Sequence, residues 1–168
     1  MESEDMKTSQ EIKDFVDKHG LYAADNFGKS SNRKFDFAIS LLRVGEESTF
    51  AVVCNTISIK DNGKKIGYYS GNGLGFTTGA LLLFTNRRMI VTEYLVPKRE
   101  PRYAAFELTF DDKEQNWDII EVRANMFRIS TIIVRFDDGF EIQLTVKPKK
   151  CKHIIDELRK FLNEKAAH

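Results

Sequence analysis

Proline and cysteine are both scarce in this sequence, with three prolines and two cysteines among 168 residues. Cys54 and Cys151 are too few for a disulfide framework, and we expect two reduced thiols in a cytoplasmic protein. The first seven residues are acidic and contain no apolar stretch, which argues against a secretory signal peptide. Apolar runs such as 80–84 and 132–134 are far shorter than the ~20 residues that cross a bilayer.

A strong net charge is also absent, because 26 Lys and Arg residues balance 25 Asp and Glu residues, for a formal charge of +1. Such a chain has no global field that would gather nucleic acid, which argues against nucleic acid as a partner. The hydrophobic share of 42% and the charged share of 30% are typical of a soluble globular domain. The length of the chain fits a single domain with a substantial core.

Patterns for catalysis and metal binding are missing as well. The three histidines are His19, His153 and His168. Cys151 and His153 would offer two ligands at the start of a helix, but no third ligand is near them in sequence. No Ser/His/Asp or Cys/His set can be assembled, and the acid pairs at 111–112 and 137–138 fall in turns, where Asp is common for backbone reasons. We therefore expect no enzymatic activity, no metal and no cofactor.

The first 46 residues read as a short tail over 1–8 and a helical segment over 9–46. Ser9 is a candidate N-cap, and Gly20 ends the first helix because glycine enters the left-handed conformation cheaply. A second helix is predicted over about 33–43 from apolar residues at helical spacing. The apolar stripes of the two helices are Ile12, Phe15 and Val16, and Phe35, Ala38, Ile39 and Leu42. These stripes must be buried on the rest of the chain or on a second copy, which makes self-association an expectation.

From Ser48 onward the apolar period changes to two, which is the spacing of β-strands. The predicted strands are 48–59, 80–85, 89–96, 104–110, 117–123, 128–136 and 140–146. The clearest hairpin signal is Asp138-Gly139, since this pair supplies the positive φ angles of a tight turn. On its two sides the predicted buried residues are Ile132, Val134, Phe136, Phe140, Ile142, Leu144 and Val146.

A C-terminal amphipathic helix follows the last strand, with Pro148 in its first turn. Its apolar stripe consists of Cys151, Ile154, Ile155, Leu158, Phe161 and Leu162. An isolated helix of this length is marginal in water, so it must dock on the strands. The prediction is an α+β, mainly β protein. A seven-stranded antiparallel sheet must curl or split to bury its inner face, and we expect a barrel over 47–165 that includes the C-terminal helix as its cap and follows two helices.

Three segments carry a resemblance to a known family. The run Gly79-Ala-Leu-Leu-Leu-Phe-Thr-Asn-Arg-Arg-Met-Ile-Val91 is similar to the second-strand, turn and third-strand signature of bacterial pleckstrin-homology-like (PH-like) domains, including the YokE-like group. The segments 42–47 and 131–139 resemble the approach to their first strand and their late hairpin. The resemblance covers about 31–163. It implies a bacterial, non-enzymatic binding or assembly module, but the long connection over 60–79 departs from the family pattern.

That connection carries most of the candidate site. Six of the ten glycines lie in it: Gly63, Gly67, Gly71, Gly73, Gly75 and Gly79. The candidate partner- or anion-binding residues are Lys60, Lys64, Lys65, Tyr68, Tyr69 and Phe76, together with Arg88 beside a later turn. Exposed aromatic side chains favour a protein partner, whereas lysines with flexible backbone N–H groups favour an anion such as a lipid headgroup. The alternative is an elongated hairpin or mobile loop with solvated lysines, and for Arg88 a structural pairing.

Two further patterns were weighed. The run Gly71-Asn-Gly-Leu-Gly75 lacks the glycine that a dinucleotide fingerprint needs where Phe76 stands, and a strand follows it instead of a helix. Lys147, Lys149, Lys150 and Lys152 form a basic run that would meet an anionic membrane or an acidic protein, or remain a solvated surface. We expect a protein-interaction or assembly module. The alternatives are an anion- or lipid-headgroup-binding module and a small-ligand-binding barrel.

Overall fold

The computed structural model describes residues 6–24, 33–70, 72–73, 76–77, 79–93, 102–107, 117–123, 130–136 and 139–166. The helices are α1 (Ser9–Lys18), α2 (Arg33–Ser40) and α3 (Pro148–Ala166). The strands are β1 (Ser48–Cys54), β2 (Thr56–Asp61), β3 (Lys64–Tyr69), β4 (Asn72–Gly73), β5 (Phe76–Thr77), β6 (Ala80–Thr85), β7 (Arg88–Glu93), β8 (Tyr103–Glu107), β9 (Trp117–Arg123), β10 (Ser130–Phe136) and β11 (Phe140–Val146).

The strands form two main antiparallel sheets. One has the order β1-β6-β7-β8, the other has the order β3-β2-β11-β10-β9, and β4 and β5 form a small separate ribbon. The two sheets face each other, since Phe106 of β8 contacts Phe140 of β11 with ring centroids 4.9 Å apart. The prediction of an antiparallel, mainly β fold with a C-terminal helix is confirmed. The predicted closed barrel is wrong, because the pairing of β8 with β9 that would close it is absent among the described strands.

A bend at Asn55 carries the chain from one sheet to the other. β1 pairs with β6 on one side of this residue, and β2 pairs with β11 on the other side. The Asn55 N–H donates to the carbonyl of Thr145 at 2.8 Å, and the hydroxyl groups of Thr56 and Thr145 lie 2.6 Å apart. The single strand predicted over 48–59 is therefore two strands in different sheets.

The four-stranded sheet is covered on both faces, which explains why every residue of β1, β6 and β7 is buried. Tyr103 and Phe106 of β8 point to opposite faces, because side chains alternate along a strand. Phe106 faces the other sheet, whereas Tyr103 contacts Phe37 of α2 at 6.0 Å between ring centroids. Most apolar residues of the two N-terminal stripes are buried within the single chain, and Ile39 and Leu42 are partly buried. Burial of the stripes therefore does not require a second copy.

The N-terminal region is ordered from Met6 in the described part of the chain. Met6 is buried and exchanges backbone hydrogen bonds with Ser48, so the tail predicted over 1–8 does not extend through its last residues. Thr8, not Ser9, caps α1, and its hydroxyl accepts a hydrogen bond from the Glu11 N–H at 3.1 Å. Gly20 has the positive φ of 63° that the sequence predicts.

Residues 21–24 close the seam between the two sheets. The Ala23 N–H donates to the Val53 carbonyl at 2.8 Å, and the Val53 N–H donates to the Leu21 carbonyl at 3.0 Å. On the other side, the Lys147 N–H donates to the Ala23 carbonyl at 2.9 Å. This short segment thus hydrogen-bonds with the free edge of β1 and with the residue that follows β11.

The apolar stripe of α3 is buried as predicted, over Cys151, Ile154, Ile155, Leu158, Phe161 and Leu162. The Phe161 ring stacks on Phe50 of β1 at 4.8 Å and contacts Phe84 of β6 at 5.2 Å. The helix therefore fills one end of the space between the sheets. His153 also holds α3 to the end of α1, with its Nε2 2.6 Å from the His19 carbonyl oxygen.

Most predicted element bounds agree with the structure. β6, β9 and β11 have the predicted bounds. The register of β10 with β11 buries the predicted apolar face, and Gly139 in the turn between them has a positive φ of 85°. The second helix ends at Ser40 instead of Arg43. The segments 94–96, 108–110 and 128–129 of predicted strands, and the turn residues 137–138, lie outside the described residues.

Candidate functional site

The first part of the 60–79 connection is an elongated hairpin formed by β2 and β3. Asn62 and Gly63 make its turn with φ angles of 51° and 82°, which is the backbone that a two-residue hairpin requires. Residues 60–69 thus form a hairpin, and the binding role of its lysines and aromatic residues stays a prediction. The pair Asn62-Gly63 is a strong hairpin signal, and sequence reasoning missed it as a turn because the many glycines nearby indicated a loop.

The lysines of the candidate site lie together near the turn of this hairpin. Lys60 and Lys65 are cross-strand partners, and Lys64 lies opposite Asp61. The Lys65 Nζ is 4.6 Å from the centroid of the Tyr68 ring, a cation–π distance. Lys60, Lys65 and Tyr68 therefore share the outer face of the hairpin, and Lys64 lies beside the turn on the face of Asp61.

A carboxylate on the neighbouring strand faces this surface. Glu141 of β11 is the cross-strand partner of Lys60. Burial raises the pKa of Glu141, but hydrogen bonds from Gln143 and Arg135, with the charges of Arg135 and Lys60, outweigh burial and lower it. Glu141 is paired with Arg135 at 2.9 Å and also interacts with the charge of Lys60, so one carboxylate is shared between two cations.

Two large apolar side chains on β3 are exposed to solvent. Ile66 is 48% exposed and Tyr68 is 41% exposed. Ile66 lies where the register of β3 with β2 shifts, between the pairs Ile59–Gly67 and Lys60–Lys65. Such a bulge re-aims side chains at the edge of a sheet. Ile66 was not a candidate residue, and only the bulge identifies it.

Tyr69 belongs to the interior and not to the contact surface. Its pairing with the buried Ile57 places it on the inner face of the sheet, where it is itself buried. The Arg102 guanidinium lies 5.6 Å from its ring centroid. Burial raises the pKa of Tyr69, which the Arg102 charge opposes and the Glu93 charge reinforces. The candidate role of Tyr69 in partner binding is therefore replaced by a structural one.

Arg102 joins the two sheets beside Tyr69. Its Nε and one terminal nitrogen donate to the Glu93 carboxylate at 2.7 and 2.9 Å, and the same terminal nitrogen donates to the Tyr68 carbonyl at 2.9 Å. Glu93 is buried at the end of β7. This arrangement fixes the last residues of β3 against the four-stranded sheet, and sequence spacing gave no signal for it.

Gly67 is required by the position of the Tyr69 ring. A Cβ atom at Gly67 would lie 2.8 Å from the nearest ring carbon. We expect Gly67→Ala to lower the free energy of unfolding by about 1–3 kcal/mol, the usual cost of overpacking. Urea denaturation measures this loss. In the background of Tyr69→Ala the same substitution is expected to cost almost nothing, and an undiminished cost there would contradict the steric explanation.

Arg88 does not join the lysines of the hairpin, and the predicted role of Phe76 falls outside the described side chains. Phe76 lies in β5, where it pairs with Gly73, and its side chain lies outside the described residues. Arg88 is buried at the opposite end of β7 from Glu93, about 17 Å away at 3.4 Å per residue. Tyr69 and Arg88 thus leave the candidate set, Ile66 joins Lys60, Lys64, Lys65 and Tyr68, and the role of Phe76 stays a prediction.

Arg88 forms a structural ion pair. Its Nε and one terminal nitrogen donate to the two oxygens of Glu46 at 2.8 and 2.7 Å, and that terminal nitrogen also donates to the Leu41 carbonyl. The Thr85 hydroxyl donates to Glu46 at 2.7 Å. Burial raises the pKa of Glu46, but hydrogen bonds from Arg88, the Arg43 N–H and Thr85 lower it to about 2.

The described side chains that could act as nucleophiles or metal ligands are either buried or not clustered. Cys54 and Cys151 are both buried, and burial raises the pKa of the Cys54 thiol. Within the described residues no three His, Cys, Asp or Glu side chains come together as a metal site. The paired acids at 111–112 and 137–138, and His168, lie outside the described residues. No helix in the described part of the chain is long and apolar enough to span a bilayer.

Comparison with known proteins adds no relative. No protein-family model matches the chain, and no curated protein or solved structure matches it significantly.

Proposed function

We propose that this protein is a non-catalytic protein-interaction module that binds its partner through the outer face of the β2–β3 hairpin. The observation that carries the proposal is the combination on one edge strand of exposed apolar residues, Ile66 and Tyr68, with Lys64 and Lys65. Exposed apolar residues that lie next to one another mark an interaction site more often than singly exposed ones do. Aromatic residues ringed by charged ones are typical of the centre and rim of a protein interface.

The order of the elements supports a PH-like domain as the scaffold of this module. If the bent pair β1–β2 counts as one strand and β3–β5 as an insertion, the chain has seven antiparallel strands followed by a helix. This is the order that the sequence resemblance implies. The insertion accounts for the departure at 60–79 and carries the proposed contact surface.

The interaction is tested by comparing two matched double variants in affinity purification from the native host. Lys65→Glu with Tyr68→Ser changes the proposed surface. Lys149→Glu with Tyr103→Ser makes the same changes of residue type elsewhere. We expect the first variant to lose a partner that the wild type and the second variant retain, with melting temperatures within about 4 °C of the wild type. Equal retention by all three proteins would contradict the proposal.

Recognition of an anion or lipid headgroup is the second candidate, favoured by the adjacency of Lys60, Lys64 and Lys65. Binding of this kind is weakened by salt because the charges are exposed. Sedimentation with phosphatidylserine vesicles tests it. Vesicle binding at low salt that is abolished in the double variant Lys64→Glu, Lys65→Glu would favour this candidate over a protein partner. The small-ligand barrel has less support, since rings of Phe50, Phe84 and Phe161 occupy the described interior.

A further inference from the structure

β3 is an edge strand with one hydrogen-bonding side unused in the described structure. It pairs with β2 on one side, and no described strand pairs with it on the other. The Tyr68 carbonyl points away from β2, since it accepts a hydrogen bond from Arg102. Arg102 thus covers the Tyr68 end of this edge. The remaining edge, over residues 64–67, is about 13 Å long at 3.3 Å per residue.

The side chains on this edge indicate which kind of strand could pair with it. Lys residues at an edge strand are one device that prevents pairing between copies of the same protein. A second copy paired antiparallel over residues 64–67 would place Lys64 opposite Gly67 and Lys65 opposite Ile66, and it would bring four lysine charges into one short ribbon, as edge lysines do when they block pairing between copies. An acidic strand would instead meet opposite charges. The same two lysines therefore disfavour self-pairing and favour an acidic partner.

We propose that an extended acidic segment of a partner protein adds to β3 as a further antiparallel strand. Its backbone would pair with residues 64–67, and its carboxylates would line the outer face beside Lys65, while its apolar residues alternate on the opposite face. In strand addition the main-chain hydrogen bonds supply affinity and the alternate side chains supply specificity. The proposal rests on the proposed function, because it assigns the partner chemistry of the same surface.

The test uses the full chain and a fluorescent peptide of about six residues in which Glu and Val alternate, the length of a short strand. Its controls are the same peptide N-methylated on alternate amides, in both registers, and a peptide with Lys in place of Glu. Fluorescence anisotropy measures binding. We expect the acidic peptide to bind. N-methylation of one set of alternate amides is expected to weaken its binding by about tenfold or more, because it removes main-chain hydrogen bonds, whereas N-methylation of the other set leaves binding unchanged.

Matched variants of the protein separate strand addition from charge attraction. The double variant Lys64→Glu, Lys65→Glu is expected to weaken binding of the acidic peptide by about tenfold or more. The double variant Lys149→Glu, Lys152→Glu is expected to leave that binding unchanged. Hydrogen exchange is expected to slow over residues 64–67 when the acidic peptide is bound. Because both double variants lie on exposed positions, their folding is checked by melting temperature before binding is measured.

Three outcomes would overturn strand addition. These are the absence of peptide binding, equal binding of both N-methylated forms and the unmodified peptide, and binding of phosphatidylserine vesicles without binding of the acidic peptide. The first two leave the proposed function standing if the purification still shows a partner that depends on the hairpin. If that partner is absent too, both proposals fail.

Discussion

Glu46→Gln is expected to lower the free energy of unfolding by about 3–5 kcal/mol, the cost of removing one member of a buried ion pair. The Glu46 side chain is fully enclosed, and Arg88 is almost so. Without the carboxylate, the Arg88 guanidinium remains buried with its charge uncompensated. Guanidinium chloride denaturation at neutral pH measures the loss, provided that the cooperativity of the transition is unchanged.

An exposed ion pair provides the matched control for this substitution. Arg43 and Glu107 are 3.0 Å apart, with side chains 56% and 64% exposed. We expect Glu107→Gln to cost less than about 1 kcal/mol, because solvent screens such pairs. Similar losses for the two substitutions would show that burial does not control the contribution of Glu46.

The stability that the Glu46–Arg88 pair contributes is expected to fall as the pH falls. The pKa of Glu46 is lowered from 4.5 to about 2 in the folded chain. A carboxyl with a depressed pKa stabilises the folded state above its unfolded value, and this contribution is lost as pH falls through the folded value. The difference in stability between the wild type and Glu46→Gln is therefore expected to shrink between about pH 4.5 and pH 2. A constant difference across this range would contradict the assigned role.

Phe161→Ala is expected to cost about 3–5 kcal/mol, the range for truncating a buried phenylalanine. Its ring stacks on Phe50 and contacts Phe84, so the substitution leaves a cavity where α3 meets the four-stranded sheet. Urea denaturation measures the loss. Phe161→Leu, which keeps most of the volume, is expected to cost less than about 2 kcal/mol.

The neighbouring Lys160 gives a control on the same turn of α3. It is exposed, and Lys160→Ala is expected to change stability by no more than about 0.5 kcal/mol. If Phe161→Ala and Lys160→Ala had the same small effect, α3 would not be docked through its apolar stripe.

The elements that sequence predicted well are those determined by local patterns. The β10–β11 hairpin follows from alternating apolar residues around Asp138-Gly139, and α3 follows from a stripe at helical spacing. The bend at Asn55 could not be predicted in this way. It depends on Thr145, which is 90 residues away in sequence and hydrogen-bonds at the point where the strand leaves one sheet for the other.

The candidate site also contains residues that local sequence identifies and residues whose role depends on the tertiary fold. The three lysines and Tyr68 could be identified from sequence, and the Asn62-Gly63 turn would have placed them on a hairpin. Alternation from Ile57 and Ile59 would then have assigned Tyr69 to the inner face. The partners of Arg88 and Arg102 lie on other elements, so their structural roles required the tertiary fold.

The closing of the seam by residues 21–24 has a consequence for synthesis of the chain. This segment hydrogen-bonds with Lys147, and the adjacent Gly20 carbonyl accepts from Lys150 of α3, a separation of 130 residues. Contacts between such distant positions slow folding and leave partly made chains prone to aggregation. On the ribosome, Phe50 and Phe84 are complete long before Phe161 emerges to cover them. The rings of Phe50 and Phe84 therefore lack this cover until α3 has been synthesised.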